Sequence, residues 1–294
     1  MAAQAVLRGS ARARLLSGSF FGPASWQRYQ NQRAFSNDKI LVDLDEATGV
    51  AVMKMKNPPV NSLNLDFLTE FSISLEKLEI DCGCRGLILT SAVPKIFSAG
   101  LDINEMFGKS NEHYAVVGRA VQDMWLKLYG SNMVTIAAIN GSVPGTGCLM
   151  ALCCDYRIMA DNPKFVIGMN ETKLDISPPF WLKDTMVNTI GNRATELSLQ
   201  LGQMYPAPEA LKLGLVDKLV PEDKVQSTAA VAMSQWLSVP DHARQLTKSM
   251  MRKPAIDRLV KQREADINNI VTDVSKDSVQ KSLQIYMDRL KQKK

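Results

Sequence analysis

Residues 134–139, Val-Thr-Ile-Ala-Ala-Ile, run directly into Asn140-Gly141-Ser142-Val143-Pro144-Gly145-Thr146-Gly147-Cys148 and then into the apolar run Leu149-Met150-Ala151-Leu152-Cys153-Cys154. A short uncharged β-branched run of this kind suits a strand buried on both faces. The Gly/Pro-rich stretch behind it reads as a turn, and the apolar run as a short buried helix. A helix opened this way leaves its first N–H groups without intrahelical acceptors and gathers them at one point. About two dozen residues later comes a single carboxylate, Glu171, at the end of Gly168-Met169-Asn170-Glu171. Backbone donors beside one carboxylate suit removal of a proton next to a carbonyl, with an oxyanion formed on the way.

The flanking chain predicts an α/β fold. Residues 40–44 and 50–55 read as strands joined by an Ala-Thr-Gly turn, and Pro58-Pro59 must then leave the sheet. Phe67, Leu68, Phe71, Leu75 and Leu78 recur at helical spacing, as do Val117, Val121, Trp125 and Leu128 within a helix expected over 111–129. Gly86–Thr90 is a second buried strand; Ile158, 165–167 and 216–220 mark further extended segments. Strand, helix, strand in repetition implies right-handed crossovers. Beyond Pro178-Pro179 the pattern is helical over 180–190, 193–201 and 208–213, with Gly191 and Gly202 as stops. From Glu222 onward it is helical almost throughout. A break is expected at Pro240, Leu246 and Met250 lie on the helix after it, and separate amphipathic segments are expected at 256–272 and 277–292. Such a tail covers the body or joins a neighbour's.

Charge divides the chain unevenly. The formal net charge of +5 arises from 35 basic and 30 acidic residues among 294. Arg8, Arg12, Arg14, Arg28 and Arg33 all precede residue 38, in a stretch with no acid and no lysine. The remaining body is neutral, so no electrostatic feature points to nucleic acid. The Arg- and Ser-containing leader has the composition of a mitochondrial transit peptide, with Arg33-Ala34-Phe35-Ser36 resembling a matrix-processing site. The expected organisation is a leader over 1–35, a core over 36–222 and a helical region over 223–294. No apolar run approaches the roughly 18 residues of a membrane helix. The five cysteines do not suggest a disulfide framework in a chain this long, and with only two histidines a histidine-based metal site is not expected.

Several short motifs occur in a telling order: Phe97-Ser98-Ala99-Gly100-Leu101-Asp102, Asn140-Gly141 with Gly145-Thr146-Gly147-Cys148, Asp155-Tyr156-Arg157 and Asn170-Glu171. Together they resemble the crotonase (enoyl-CoA hydratase/isomerase) superfamily across about residues 40–294. The resemblance implies a crotonase-like spiral of ββα units with a helical C-terminal trimerisation region, hence a homotrimer. It also implies an acyl-CoA thioester substrate, no cofactor beyond the coenzyme A that is part of that substrate, and, with the leader, a place in the mitochondrial matrix. In that family two backbone N–H groups hold the thioester oxygen; here they would belong to Ala99 and Thr146. Ala99, Gly100, Leu101, Asp102 and Ile103 would line the acyl-CoA site with Thr146, and Asn170 would sit beside the base.

Chemistry selects among reactions of the family. Hydratases of this fold use two glutamates, and the place of the first is Leu149 here, which carries no proton. Glu171 alone can still take a proton from C2 of a 3-cis- or 3-trans-enoyl thioester and return it to C4, giving the 2-trans isomer of β-oxidation. The alternative is a crotonase-fold subunit that binds acyl-CoA or serves assembly without catalysis. Two departures bear on that choice. Thr146 stands where glycine is usual, and the N–H survives provided Thr146 keeps a negative φ. Asp175 also stands where relatives have glycine; it is expected to face solvent, as a like charge facing the pocket would raise the base's pKa further. Asp102 serves equally well as a helix cap.

Overall fold

The computed structural model describes residues 32–36 and 38–292. β1 (Gln32–Ser36), β2 (Ile40–Asp45) and β3 (Val50–Met55) form an antiparallel meander. After the Pro58-Pro59 turn come β4 (Ser62–Leu63) and α1 (Leu65–Ile80), whose Asn64 cap accepts from the Phe67 N–H. β5 (Gly86–Ser91), β6 (Lys95–Ile96) and β7 (Gly100–Leu101) lead to α2 (Asn111–Tyr129). β8 (Val134–Ile139), β9 (Gly141–Pro144) and α3 (Thr146–Cys153) follow, then β10 (Tyr156–Ala160), β11 (Val166–Gly168) and α4 (Phe180–Ile190). The chain continues through α5 (Asn192–Leu201), β12 (Tyr205–Pro206), α6 (Ala207–Leu213) and β13 (Lys218–Val220). It ends in α7 (Val225–Leu237), α8 (Asp241–Val274) and α9 (Asp277–Gln292).

The main sheet has the order β1-β2-β3-β5-β8-β10-β13, parallel from β3 onward. After each of β5, β8 and β10 the chain drops a short strand into a second sheet, and β6, β9 and β11 pair there in parallel. Repeating this step with a helix between turns produces the expected spiral. β5 and β8 are buried at every position, as their uncharged sequences require. Part of the stretch read as a turn is β9, paired with β6, so Gly141 to Pro144 are strand residues.

The expected boundary at residue 35 falls within β1, whose five residues all pair with β2 and whose Phe35 packs against the core. Residues 1–31 of the expected leader lie outside the described residues. One expectation needs correction: the separate segment expected from residue 256 continues the helix that follows Pro240, since α8 runs 34 residues with Pro254 inside it. Proline forfeits one helical hydrogen bond there, but anchors on its N-terminal side hold the helix in place. The Lys248 ammonium and Arg252 guanidinium each lie 2.8 Å from the Asp155 carboxylate, and Arg252 also donates to the Tyr129 and Cys153 carbonyls at the ends of α2 and α3. Asp155 further accepts from the Thr135 N–H at 2.8 Å, so one buried carboxylate joins the sheet to the C-terminal helix. No helix among the described residues is long and apolar enough to cross a membrane.

Candidate active site

Pairing of β4 with β7 sets Ser62 against Gly100 and Leu63 against Leu101, which brings the loop after Phe97 to the N-terminus of α3. The approach is close: a Cβ on Gly100 would stand 3.0 Å from the Pro144 carbonyl and 3.2 Å from the Thr146 nitrogen. Gly145, at φ 57° and ψ −133°, turns the chain from β9 into α3, a conformation L-residues avoid. Its N–H donates to the Gly168 carbonyl at 2.8 Å, binding the turn to the end of β11 and so to Asn170 and Glu171. A Cβ on Gly145 would lie 3.5 Å from Asn170 Oδ1 and 3.6 Å from Glu171 Oε1.

Thr146 is the first residue of α3, so its N–H has no acceptor within the helix. Its φ is negative; among the described residues other than glycine, positive φ occurs at Asn61, Lys95 and Asp175. The Ala99 N–H, expected beside it as a second free donor, donates instead to the Val60 carbonyl at 2.9 Å. That hydrogen is engaged here, and it reaches a ligand only as a three-centre bond or after the contact with Val60 opens.

Glu171 opens a 3-10 turn, Glu171–Leu174, directly behind Gly145. Its Oε1 is shielded from solvent and takes no hydrogen bond from the described residues. Burial pushes its carboxyl up to about 7, against a smaller lowering from its own backbone N–H. Leu149, fully buried, lies on the same wall, and no second acid stands there. Burial and, secondarily, the Glu171 charge push the Cys148 thiol well up, so it stays protonated.

These groups open on one cavity of about 600 Å³. Ala99, Gly100, Leu101, Ile103, Thr146, Asn170 and Glu171 all line it. Asp102 does not line it. Its carboxylate accepts from the Asn104 N–H at 2.9 Å and caps the 3-10 turn Ile103–Glu105, the second of the two roles open to it. Asp175 is exposed and off the cavity wall, with φ 64° and ψ 21°. Aspartate is one of the few residues other than glycine that tolerate this left-handed conformation.

The deeper wall was not read from the sequence. Tyr114, Val117 and Val121 of α2, Trp181 of α4 and Ile270 of α8 make it apolar, with Asp266 among them. Tyr286 of α9 completes it, and Gln280 fixes that helix by donating to the Met106 and Val274 carbonyls and accepting from the Gly108 N–H. The helix expected over 180–190 contains Trp181, but nothing in 261–266, Lys-Gln-Arg-Glu-Ala-Asp, distinguished Asp266 from its solvated neighbours.

A single carboxylate pushed toward neutrality and an unpaired helix-opening N–H, both at the mouth of an apolar chamber, define a site for proton transfer beside an activated carbonyl. Residues 45–293 match the enoyl-CoA hydratase/isomerase family, and the chain belongs to it. It is 56% identical over 301 residues to the mitochondrial enoyl-CoA delta isomerase 1 of Homo sapiens, covering all of both chains. To the Rattus norvegicus protein of the same name it is 58% identical, over 98% of this chain and 99% of that one. The crystal structure of human mitochondrial delta3-delta2-enoyl-CoA isomerase superposes with a TM-score of 0.86 at 62% identity, covering 87% of this chain and 99% of that one.

Proposed function

We propose that this chain is an enoyl-CoA isomerase that moves the double bond of a 3-cis- or 3-trans-enoyl thioester to the 2-trans position in the oxidation of unsaturated fatty acids. The shielded Oε1 of Glu171, which takes no hydrogen bond from the described residues, with an apolar Leu149 in place of a second acid, is the observation that carries the reading. Glu171 takes the C2 proton, and the electron pair moves into the thioester to give an enolate. The Thr146 N–H donates to its oxygen, joined by Ala99 once that hydrogen is shared with or released from Val60. The Glu171 carboxylic acid then returns the proton to C4, leaving the double bond between C2 and C3. A base near neutrality suits both transfers, because it is ionised for the first and acidic enough for the second. Gly100, Leu101 and Ile103 shape the acyl-CoA side of the mouth and Asn170 stands beside the base. Coenzyme A enters as part of the substrate, and the reaction needs no other cofactor. The relatives' mitochondrial names and the acid-free leader support action in the mitochondrial matrix. Exposed Leu246, Met250 and Met251 on α8 support a homotrimer built through the C-terminal helices.

One observation favours a subunit that binds acyl-CoA without catalysis: the Ala99 N–H is taken by Val60. Incubation of the purified protein with 3-trans-enoyl-CoA, following the conjugated 2-enoyl product, decides between the readings. Wild-type turnover that collapses in Glu171→Gln supports the isomerase, whereas binding without turnover in the wild type supports the second reading.

A further inference from the structure

Asp266 is a buried carboxyl on the cavity wall, which it shares with the apolar Val117, Val121 and Ile270. Both of its hydrogen bonds fall on one oxygen: Oδ2 accepts from Gln122 Nε2 at 2.7 Å and from Trp181 Nε1 at 2.9 Å. Oδ1 takes no hydrogen bond from the described residues. The donors are themselves fixed, since Arg263 holds Gln122 through its Oε1 at 3.1 Å and Trp181 stacks at an angle on Trp125. The carboxyl therefore cannot swing aside without stranding two buried donors.

Its depth follows from the helix. Asp273 of α8 accepts from the Ser177 N–H at 3.0 Å, which places that turn of α8 beside the loop leading from Glu171. Asp266 precedes Asp273 by two helical turns, roughly 10 Å along the axis. Between them Ile270 faces the cavity, and Val117 and Val121 line it from α2. An alkyl chain that leaves the reaction centre past Asp273 thus runs along apolar side chains before it reaches the Asp266 carboxyl.

We propose that Asp266 is a specificity-determining residue that ends the usable acyl chamber. It accepts tails that stop short of it, rejects longer saturated tails, and tolerates at its own depth only a tail carrying a hydrogen-bond donor such as a terminal hydroxyl. The physical reason is that packing a methylene against Oδ1 removes that oxygen from water and supplies no donor in return. A hydroxyl supplies one. The inference names the substrate range of the isomerase reading and rests on it.

The test measures dissociation constants of straight-chain saturated acyl-CoAs of increasing length, which requires no turnover. In the wild type, affinity should rise with length and then fall once the tail reaches Asp266. In Asp266→Asn, which keeps an acceptor for Gln122 and Trp181, the longest chains should gain about tenfold while short chains are unchanged, as a neutral amide costs less to desolvate than a carboxylate. A second arm uses the wild type alone: at the length where affinity falls, the terminally hydroxylated acyl-CoA should bind about tenfold more tightly than its saturated counterpart, the hydroxyl satisfying an oxygen otherwise left bare. Affinity that rises with length without a fall, or a hydroxylated chain that binds no better, overturns the role of Asp266 even if short 3-enoyl-CoA is isomerised. Normal length discrimination without isomerisation leaves Asp266 standing and removes the isomerase reading.

Discussion

Gly145 faces Glu171 across a space that one methyl group would fill: a Cβ there would touch Oε1 at 3.6 Å. The missing side chain thereby leaves the base room for a substrate carbon, and burial by the surrounding wall is what carries its carboxyl up to about 7. The kcat/KM of the wild type should fall about tenfold per pH unit below 7, because only the ionised form takes the C2 proton. At and above pH 7 Glu171→Gln should lose roughly 10²–10⁴-fold, a difference that narrows as the pH falls. A limb near 4.5 in the kcat/KM profile would show that the carboxyl is not desolvated in solution.

The same burial has a cost in stability, with a definite sign. The folded pKa lies above the ordinary 4.5, so the folded state holds its proton more tightly than the unfolded state between about 4.5 and 7. The contribution is intact below 4.5, declines as pH rises through that window, and is fully lost above about 7. The displacement corresponds to about 3 kcal/mol, as an order of magnitude. Glu171→Gln should therefore be more stable than the wild type by up to that amount at pH 8, with the difference vanishing toward pH 4.5. Urea denaturation of both proteins across this range measures it.

Thr146 gives a clean test of the oxyanion donor, because proline is well suited to the first position of a helix. Thr146→Pro removes the N–H and keeps a φ compatible with α3. It should lower kcat by roughly 10²–10³-fold, the usual effect of losing one such donor. Thr146→Ala retains the N–H and should stay within a few-fold of the wild type. Equal losses in both variants would mean that the hydroxyl, and not the backbone, is what matters.

What was legible in the sequence was mostly local. The turn into α3, the apolar Leu149 and the lone Glu171 lie within one stretch, and burial of β8 follows from its own composition. Features set by distant partners were not legible. The Ala99 N–H is engaged because pairing of β4 with β7 carries Val60 alongside it, across some forty residues. Asp266 reads as one more charge on an amphipathic helix until Gln122 and Trp181 are brought to it from α2 and α4. The unbroken course of α8 past Pro254 was not legible either, because the ties from Lys248 and Arg252 that anchor it reach Asp155 about a hundred residues away.

Asp175 separates a backbone explanation from an electrostatic one. Its side chain is exposed and its φ is 64°, so the residue type at this position concerns backbone conformation and not the base. Asp175→Gly should leave the pH dependence of kcat/KM unchanged and shift the unfolding free energy by no more than about 1 kcal/mol, since glycine relieves the left-handed strain but adds freedom to the unfolded chain. A downward movement of the acid limb in the variant would place the Asp175 charge close enough to Glu171 to act on it.

Asp155 is the strongest stability prediction. Its side chain is 6% exposed, and those of Lys248 and Arg252 are 10% and 13% exposed, so the pairing takes place out of water. Desolvation already lowers the Lys248 pKa, and attraction to Asp155 opposes that lowering. Removing the carboxylate leaves two buried cations facing each other and frees the Thr135 N–H in the sheet. Asp155→Ala should therefore cost about 3–5 kcal/mol, the usual penalty for breaking a buried pair from one side. Asp155→Asn keeps an acceptor for Thr135 and removes only the charge, so it should cost less. Lys248→Met, which deletes one cation and keeps an apolar stem, should cost less again, because Arg252 still neutralises the carboxylate. Equilibrium denaturation of the three variants gives the ranking, and an Asp155→Ala protein as stable as Lys248→Met would show that the C-terminal helix is held by its apolar contacts alone.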